Sequence, residues 1–429
     1  MNSCSWQRLF LPALLLSICS CMQGFAQTDT LKLTTEESER TFLKSNFALL
    51  AALYNIDANK ALIRQARLWD NPILATDQNI YDNQGKFFKH DSNSGQVYVQ
   101  VTQLIKTAGK INKIVQLATD NANTTAAQFD DLVRTLRYEL LSDFFEIEHQ
   151  LKIQAVYSSE INELQTLVTG MDEEFKAGNI SLKDNLRVKA LLFSLKNDLA
   201  NTDAQLLPLE QDLKLLLDKK DSAFILPVLH YYLPDLIQKI IPTQDSLKQL
   251  ALSNRPDIKI AQLQMEYAKH NLIYQKALAK PDINVGTEYD QRSSYAPNYI
   301  GLAVSLPLNI FNRNQGNISS ARFSIDQQQV LYDGQSAKVQ NDVATSVARI
   351  KFFQQLNNPE QLSFAQQYEA VFQNMLKSYK DRQVSLLEFI DFANAYNETR
   401  LKILEQHTSL LKAFAELNYV VGQDVINLN

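Results

Sequence analysis

The sequence predicts a mainly α-helical protein in which long helices alternate with two short pairs of β-strands. Glycine and proline are scarce, at 11 residues each in 429, which favours long uninterrupted helices. Neither residue occurs between Gly109 and Gly170. The order helix, strand pair, long helix, turn, helix occurs twice, about 200 residues apart, which indicates an internal duplication.

The first 26 residues have the pattern of a secretory signal. Arg8 precedes an apolar run from Leu9 to Ile18, and small residues precede Gln27, as in a cleaved signal peptide. We therefore expect residues 1–26 to be removed. All three cysteines lie there, so the mature chain would form no disulfide. The alternative is lipidation at Cys21, although the residues before it match a lipobox poorly.

The first repeat is predicted over residues 27–207. It begins with an alanine-rich helix after Asn46, which ends near Pro72 because proline forces the preceding backbone into an extended conformation. A strand pair is expected within residues 72–107. After Gly109, apolar residues recur every three or four positions, which predicts an amphipathic helix that could reach roughly 90 Å.

The second repeat is predicted over residues 253–429, after a connector at residues 208–252 that contains several prolines. It has a similar first helix, a strand pair within residues 281–310 and a long helical hairpin. Gly316 is expected to open a helix as Gly109 does. Later, the sequence from Phe175 to Ser181 matches the sequence from Tyr379 to Ser385.

The strands of the second pair alternate between apolar and small or polar residues. Ile283, Val285, Thr287 and Tyr289 lie on one face, and Asn284, Gly286 and Glu288 lie on the other. Such alternation fits a half-buried sheet in water or a barrel in lipid, and the secretion signal and long helices favour lipid. Four strands cannot close a barrel, since the smallest have about eight. A membrane-spanning form must therefore oligomerise.

Several kinds of chemistry are not expected. The net charge is −5, with no basic patch, so nucleic acid is not an expected partner. No phosphate-binding glycine loop or recognisable nucleophile occurs, which argues against an enzyme. The histidines lack the spacing of metal ligands; they are His90, His149, His230, His270 and His407. We expect no cofactor and no resident metal.

The chain resembles the TolC family of outer-membrane efflux proteins over nearly all of its mature length. The resemblance lies in the segments Asn254–Ile258, Lys280–Ile283 and Leu306–Ile318. The asparagine-rich form of the third segment is most similar to the CzcC/CusC heavy-metal branch.

The resemblance implies a homotrimer surrounded by outer-membrane lipid. Each chain would give four strands to a 12-stranded transmembrane β-barrel, as three copies of four strands require, and its helices to a periplasmic α-helical coiled-coil barrel. It also implies a passive duct for substrates from an inner-membrane RND-type pump, which is joined to the duct by a periplasmic adaptor, or membrane fusion protein. The branch favours divalent heavy-metal cations as substrates.

The resemblance also implies roles for residues at the periplasmic tip. Glu388 and Asp391 would form a pore selectivity ring, with three copies of each. Asp184, Tyr379 and Arg382 would form a tip gate. The chain departs from the family pattern because Arg382 stands where glycine is usual, and we expect Arg382 to replace the usual gate charge opposite Asp184.

The sequence is also consistent with several alternatives. Glu388 and Asp391 could be solvated residues on an amphipathic helix. The channel could instead export drugs and other small amphiphiles, or serve type I protein secretion. A further alternative is a soluble periplasmic coiled-coil adaptor or scaffold.

Overall fold

The structure is a computed structural model that describes residues 30–81, 85–89, 95–220 and 223–428. The predicted signal peptide, including Cys21, lies outside the described residues.

The described chain is mainly helical, with short strands between the helices. The helices are α1 (Thr35–Ser45), α2 (Phe47–Ala66), α3 (Lys110–Lys176), α4 (Leu182–Leu216), α5 (Leu233–Ile237), α6 (Gln244–Asn254), α7 (Pro256–Leu278), α8 (Gln315–Leu356), α9 (Pro359–Lys380) and α10 (Leu386–Val421). The strands are β1 (Thr30–Thr34), β2 (Ile73–Gln78), β3 (Val97–Ile105), β4 (Phe224–Val228), β5 (Ile283–Arg292) and β6 (Pro297–Ser305). The predicted order of helix, strand pair and long helices is present in both halves.

Helix α3 contains 67 residues, which corresponds to a rod of about 100 Å. It packs along α4 to form the first long hairpin, while α9 and α10 form the second. Helix α4 continues through Pro208 to Leu216, so it extends into the segment predicted as the connector. An interior proline costs about 3 kcal/mol, and complete burial of Leu213 offsets part of that cost.

The strand pairs of the two repeats form one antiparallel sheet, with the order β2-β3-β5-β6. The repeats meet where β3 pairs with β5, in a register that sets Val101 opposite Thr287 and Gln100 opposite Glu288. Separately, β1 pairs in parallel with β4, so the beginning of the first repeat is held against the segment that follows that repeat. No helix in the described ranges has the length and apolar character needed to span a membrane.

Each long helix that follows a strand pair is preceded by a residue in the left-handed backbone conformation. Gly109, with φ 64°, precedes α3, and Asn314, with φ 58°, precedes α8. The prediction that Gly316 opens the second helix was therefore wrong by two positions. Asparagine tolerates this conformation because its short side chain can bond locally, and the Asn314 amide donates to the backbone oxygen of Gln275 over 2.8 Å.

The sheet is tied to the helices by a buried lysine. The Lys110 ammonium lies 2.6 Å from the Asp282 carboxylate and donates to the Lys280 backbone oxygen over 2.7 Å. The same Asp282 oxygen accepts from the Thr107 backbone N–H over 2.8 Å. The end of β3 and the beginning of β5 are thus joined where the strands give way to helices.

Arg255 forms the centre of a second buried ionic group. Its side chain is 3% exposed and contacts the carboxylates of Asp257, at 2.6 Å, and Asp342, at 3.0 Å. It also donates to the backbone oxygen of Val420 over 3.2 Å. One side chain therefore joins α7, α8 and α10.

Replacing Arg255 with methionine is expected to lower the free energy of unfolding by about 3 kcal/mol, because it leaves partly buried carboxylates without their cation. Chemical denaturation of the purified protein, followed by far-UV circular dichroism, measures the loss. Arg349→Met is the matched control, since Arg349 is 48% exposed and pairs with Glu416. Its expected loss is below about 1 kcal/mol, and equal losses in the two variants would contradict the assignment.

Candidate functional site at the hairpin tips

The two long hairpins end in turns with the same backbone conformation. Gly178, with φ 78°, lies in the first turn, and Arg382, with φ 58°, occupies the same place in the second. Their backbone N–H groups donate to Phe175 and Tyr379, respectively, over 3.0 Å in each case. The turns therefore match although one contains glycine and the other arginine, for which this conformation costs about 1 kcal/mol.

Asp184 and Glu388 occupy equivalent places in the helix that follows each turn. The Ser181 hydroxyl donates to the Asp184 carboxylate over 2.7 Å. The Ser385 hydroxyl and backbone N–H both donate to the Glu388 carboxylate over 2.8 Å, and the hydroxyl oxygen accepts from the Glu388 N–H over 3.3 Å. Glu388 thus completes a capping box.

The cap also keeps Glu388 charged. The hydrogen bond from the Ser385 backbone, followed by that from its hydroxyl, lowers the pKa of the Glu388 carboxyl. Asp391 lies three residues further along α10, and both side chains are exposed. Residues at this spacing share a helix face, so the structure brings the two predicted ring residues together.

Tyr379 joins the hairpins by packing. Its ring stacks on Phe389 with 5.0 Å between centroids, and its hydroxyl lies 3.6 Å from the sulfur of Met171 in α3. Burial raises the pKa of the Tyr379 phenol, and the nearby charge of Asp184 raises it further.

Arg382 pairs with Glu174 rather than with Asp184 within the chain. Its guanidinium lies 3.0 Å from the Glu174 carboxylate, which also accepts from the Asn179 amide over 2.8 Å. We did not identify Glu174 from the sequence. An acidic side chain in the last turn of a helix is unfavourable, because that end of the helix dipole is negative. The position of Glu174 in the last turn of α3 therefore indicates that a cation lies beside it, and this is the sequence feature that could have identified it.

An apolar group, the tip cluster, supports both turns from within. The cluster contains residues from helices of both hairpins. Its fully or largely buried members are Tyr157, Leu164, Leu167, Val168, Met171, Val188, Leu192, Leu195, Leu376 and Phe389. The predicted gate residues therefore lie next to a single packed cluster. Movement of one hairpin relative to the other must rearrange the side chains of this cluster.

A second set of acidic side chains lies on one face of the sheet, here called the polar face. The Glu288 carboxylate accepts from the Tyr98 hydroxyl over 2.9 Å and from the Gln100 amide over 3.2 Å. Asp290 accepts from the Gln96 amide over 2.6 Å, and Asp77 lies opposite Tyr98 in the register. The alternation of the strands predicted this face, but the hydrogen bonds depend on pairing between repeats. Across the described ranges, no group of acidic, histidine or cysteine residues is arranged to hold a metal ion.

Comparison with known sequences identifies relatives over most of the chain. The family model for outer membrane efflux proteins matches residues 40–218 and again residues 247–423, in agreement with the duplication. The cobalt-zinc-cadmium resistance protein CzcC of Cupriavidus metallidurans is 24% identical over 343 residues, which cover 76% of this chain and 78% of CzcC.

Solved structures share the fold. A membrane protein from Pseudomonas aeruginosa aligns with a TM-score of 0.74 at 16% identity, over 90% of this chain and 93% of its own. CusC aligns with a TM-score of 0.72 at 18% identity, over 92% and 94% of the two chains. VceC of Vibrio cholerae aligns with a TM-score of 0.69 at 16% identity, over 91% and 96%. The chain therefore belongs to the outer membrane efflux protein family.

Proposed function

We propose that this outer-membrane efflux channel is the passive exit duct of a tripartite system for divalent heavy-metal cations. It acts as a homotrimer, without enzymatic activity, and receives its cargo from an inner-membrane RND-type pump through a periplasmic adaptor. The observation that carries the choice of cargo is the similarity to CzcC, a cobalt-zinc-cadmium resistance protein, over most of both chains.

The open sheet supports the homotrimer. In the described residues β2 pairs only with β3, and β6 only with β5. Three copies of four strands give twelve, enough to close a barrel whose backbone groups are all paired. The apolar face of β6 supports a lipid contact, because Ile300, Leu302 and Val304 are each more than half exposed.

The distribution of acids supports a cationic cargo. Asp77, Glu288 and Asp290 lie on the polar face, which would line the barrel when the apolar face meets lipid. Glu388 and Asp391 add carboxylates at the tips. Rings of acidic side chains in a narrow aqueous path favour cations and exclude anions.

Two other cargos remain alternatives within the family, namely drugs or other small amphiphiles, and proteins of type I secretion. The soluble adaptor or scaffold is set aside by the family match, which is to outer membrane efflux proteins.

Deleting the encoding gene from its natural host is expected to increase sensitivity to zinc, cobalt and cadmium, because the exit from the periplasm is lost. Growth across a concentration series of these metals, alongside detergents, dyes and antibiotics, measures the effect. A complementing copy should restore tolerance. Sensitivity confined to amphiphiles would contradict the proposed cargo while leaving the channel in place.

Glu388→Gln and Asp391→Asn are each expected to lower the cation-to-anion permeability ratio roughly fivefold, which corresponds to about 1 kcal/mol. Reversal potentials of the reconstituted channel under a salt gradient measure this ratio. Glutamine can retain the capping box, so the first variant removes charge while keeping the helix start.

Glu37→Gln is the matched control for that variant, since Glu37 completes an equivalent capping box with Thr34 at the start of α1. It should leave selectivity unchanged. Unaltered permeability ratios in both tip variants would show that Glu388 and Asp391 act only locally.

Arg382→Glu is expected to raise passive leakage through the resting channel, because it places two acids together where Arg382 now pairs with Glu174. Entry of a bulky antibiotic into cells that carry the variant channel measures leakage. The charge swap Glu174→Arg with Arg382→Glu should restore the closed state. Asp184→Lys and Tyr379→Phe test the rest of the proposed gate, and leakage equal to wild type in all the single variants would rule the gate out.

A further inference from the structure

A cavity of about 270 Å³ lies between the two hairpins, in helices α3, α9 and α10. Three carboxylates line it: Glu160 and Glu163 from α3 and Glu369 from α9. Arg400 and Tyr396 line it from α10. We call this space the glutamate cavity.

The cations around the glutamate cavity are already engaged. Arg400 contacts the Glu369 carboxylate, which also accepts from the Tyr396 hydroxyl. Lys152, which lines the same space, pairs with Glu148 at 3.1 Å and donates to the Tyr231 hydroxyl over 2.7 Å. The cavity therefore contains more acidic groups than cations that could neutralise them.

Glu160 is the member of this group that is most isolated from water. It is 6% exposed, and its Oε1 atom has no hydrogen-bond partner among the described residues. The same is true of Oε2 of Glu163, whose other oxygen accepts from the Gln373 amide of α9 over 3.3 Å. An ionised carboxylate held in this way is costly, because burial removes it from water and Arg400, the cation whose charge acts on Glu160, is already paired with Glu369.

We propose that the packed form of the two hairpins binds a proton at Glu160, and that ionisation of Glu160 loosens the contact of α3 with α9 and α10. The ligand is a proton because a neutral carboxyl fits a site whose cations, Arg400 and Lys152, are engaged by other carboxylates, whereas the described residues form no cluster arranged for a metal ion. Opening of the contact would admit water to the charged form.

The titratable groups around Glu160 agree with this assignment. Burial raises the pKa of Glu160 to about 7; Arg400 lowers it, and the charge of Glu163 raises it. On α9 and α10, Glu369 and Tyr396 face the same space. Burial raises the pKa of the nearby Tyr157 phenol, and the charges of Asp198 in α4 and of Glu160 raise it further.

The sign of the pH dependence follows from the direction of the Glu160 shift. The packed form binds more protons than the open form between the ordinary carboxyl pKa of 4.5 and about 7. The contact is therefore most stable at low pH and weakens as the pH rises through this window. This inference does not depend on the transported cargo or on the number of copies in the channel.

Hydrogen exchange of the purified full-length protein tests the proposal. After correction for intrinsic rates, amides of α9 and α10 beside the glutamate cavity should exchange roughly 30-fold faster at about pH 8.5 than at about pH 5.5. The opening equilibrium shifts about tenfold for each pH unit between about pH 5.5 and the packed-form pKa of about 7. Glu160→Gln, which imitates the protonated form, should exchange slowly at both values. The proposal would be overturned if exchange in the wild type did not become faster at high pH. It would also be overturned if Glu160→Gln showed the same pH response as the wild type.

Two further variants separate Glu160 from its surroundings. Glu163→Gln should move the midpoint of the response to lower pH by removing a like charge, and it provides a test if Glu160→Gln does not fold. Asp143→Asn is the matched control. Asp143 is another carboxyl of α3 whose pKa is raised to about 6, mainly by burial, and its removal should leave the response of α9 intact.

Zinc chloride added at about pH 8.5 distinguishes a proton from a metal ion as the occupant of the cavity. The proposal predicts no slowing of exchange in α9 and α10. Protection by zinc in the wild type that is lost in Glu160→Gln would identify a metal site and overturn the assignment of a proton.

Discussion

The free edges of the four-stranded sheet constrain the rest of the molecule. In the described residues β2 and β6 each have one neighbouring strand, so a row of backbone N–H and C=O groups on each is unpaired within the chain. In hydrocarbon, each unpaired group costs several kcal/mol. The sheet can enter a membrane only when other copies complete it. Completing the sheet also brings the helices of the copies together. Exposed apolar residues of α2 and α8, including Tyr54 and Phe323, can then pack against a neighbouring copy.

The two repeats have the same backbone conformation at their hairpin turns but carry different side chains there. Gly178 and Arg382 hold the same turn conformation, and Ser181 and Ser385 cap equivalent helix starts, with Asp184 and Glu388 three residues further on. Arg382, however, brings a charge that pairs with Glu174 in the opposite hairpin. The asymmetry of the proposed gate therefore arises from side chains, while the repeated backbone preserves the packing beneath them.

Much of the fold could be predicted because it depends on short-range signals. Helix periodicity, the prolines that end helices and the alternation of the strands are properties of neighbouring residues, and they identified both repeats. The expectation that Glu388 and Asp391 lie at the tip came from the resemblance to the TolC family. The remaining features depend on residues far apart in the chain. The partner of Arg382 and the burial of Glu160 arise from docking of one repeat on the other. The parallel pairing of β1 with β4 joins the first repeat to the segment that follows it. Local patterns encode neither of these long-range contacts.

Gly170 gives the long helix α3 a place to bend. From Lys110 onwards, the helix has no other glycine or proline, so it is a stiff rod from the sheet to the region of the tip cluster. A methyl group at position 170 would meet no atom within 4 Å, so close packing does not require glycine there. Glycine in a helix interior lowers its stability by about 1 kcal/mol relative to alanine. Deformation should therefore concentrate in the last two turns of α3, and the periplasmic end can change shape while the wall above it and the membrane sheet keep theirs.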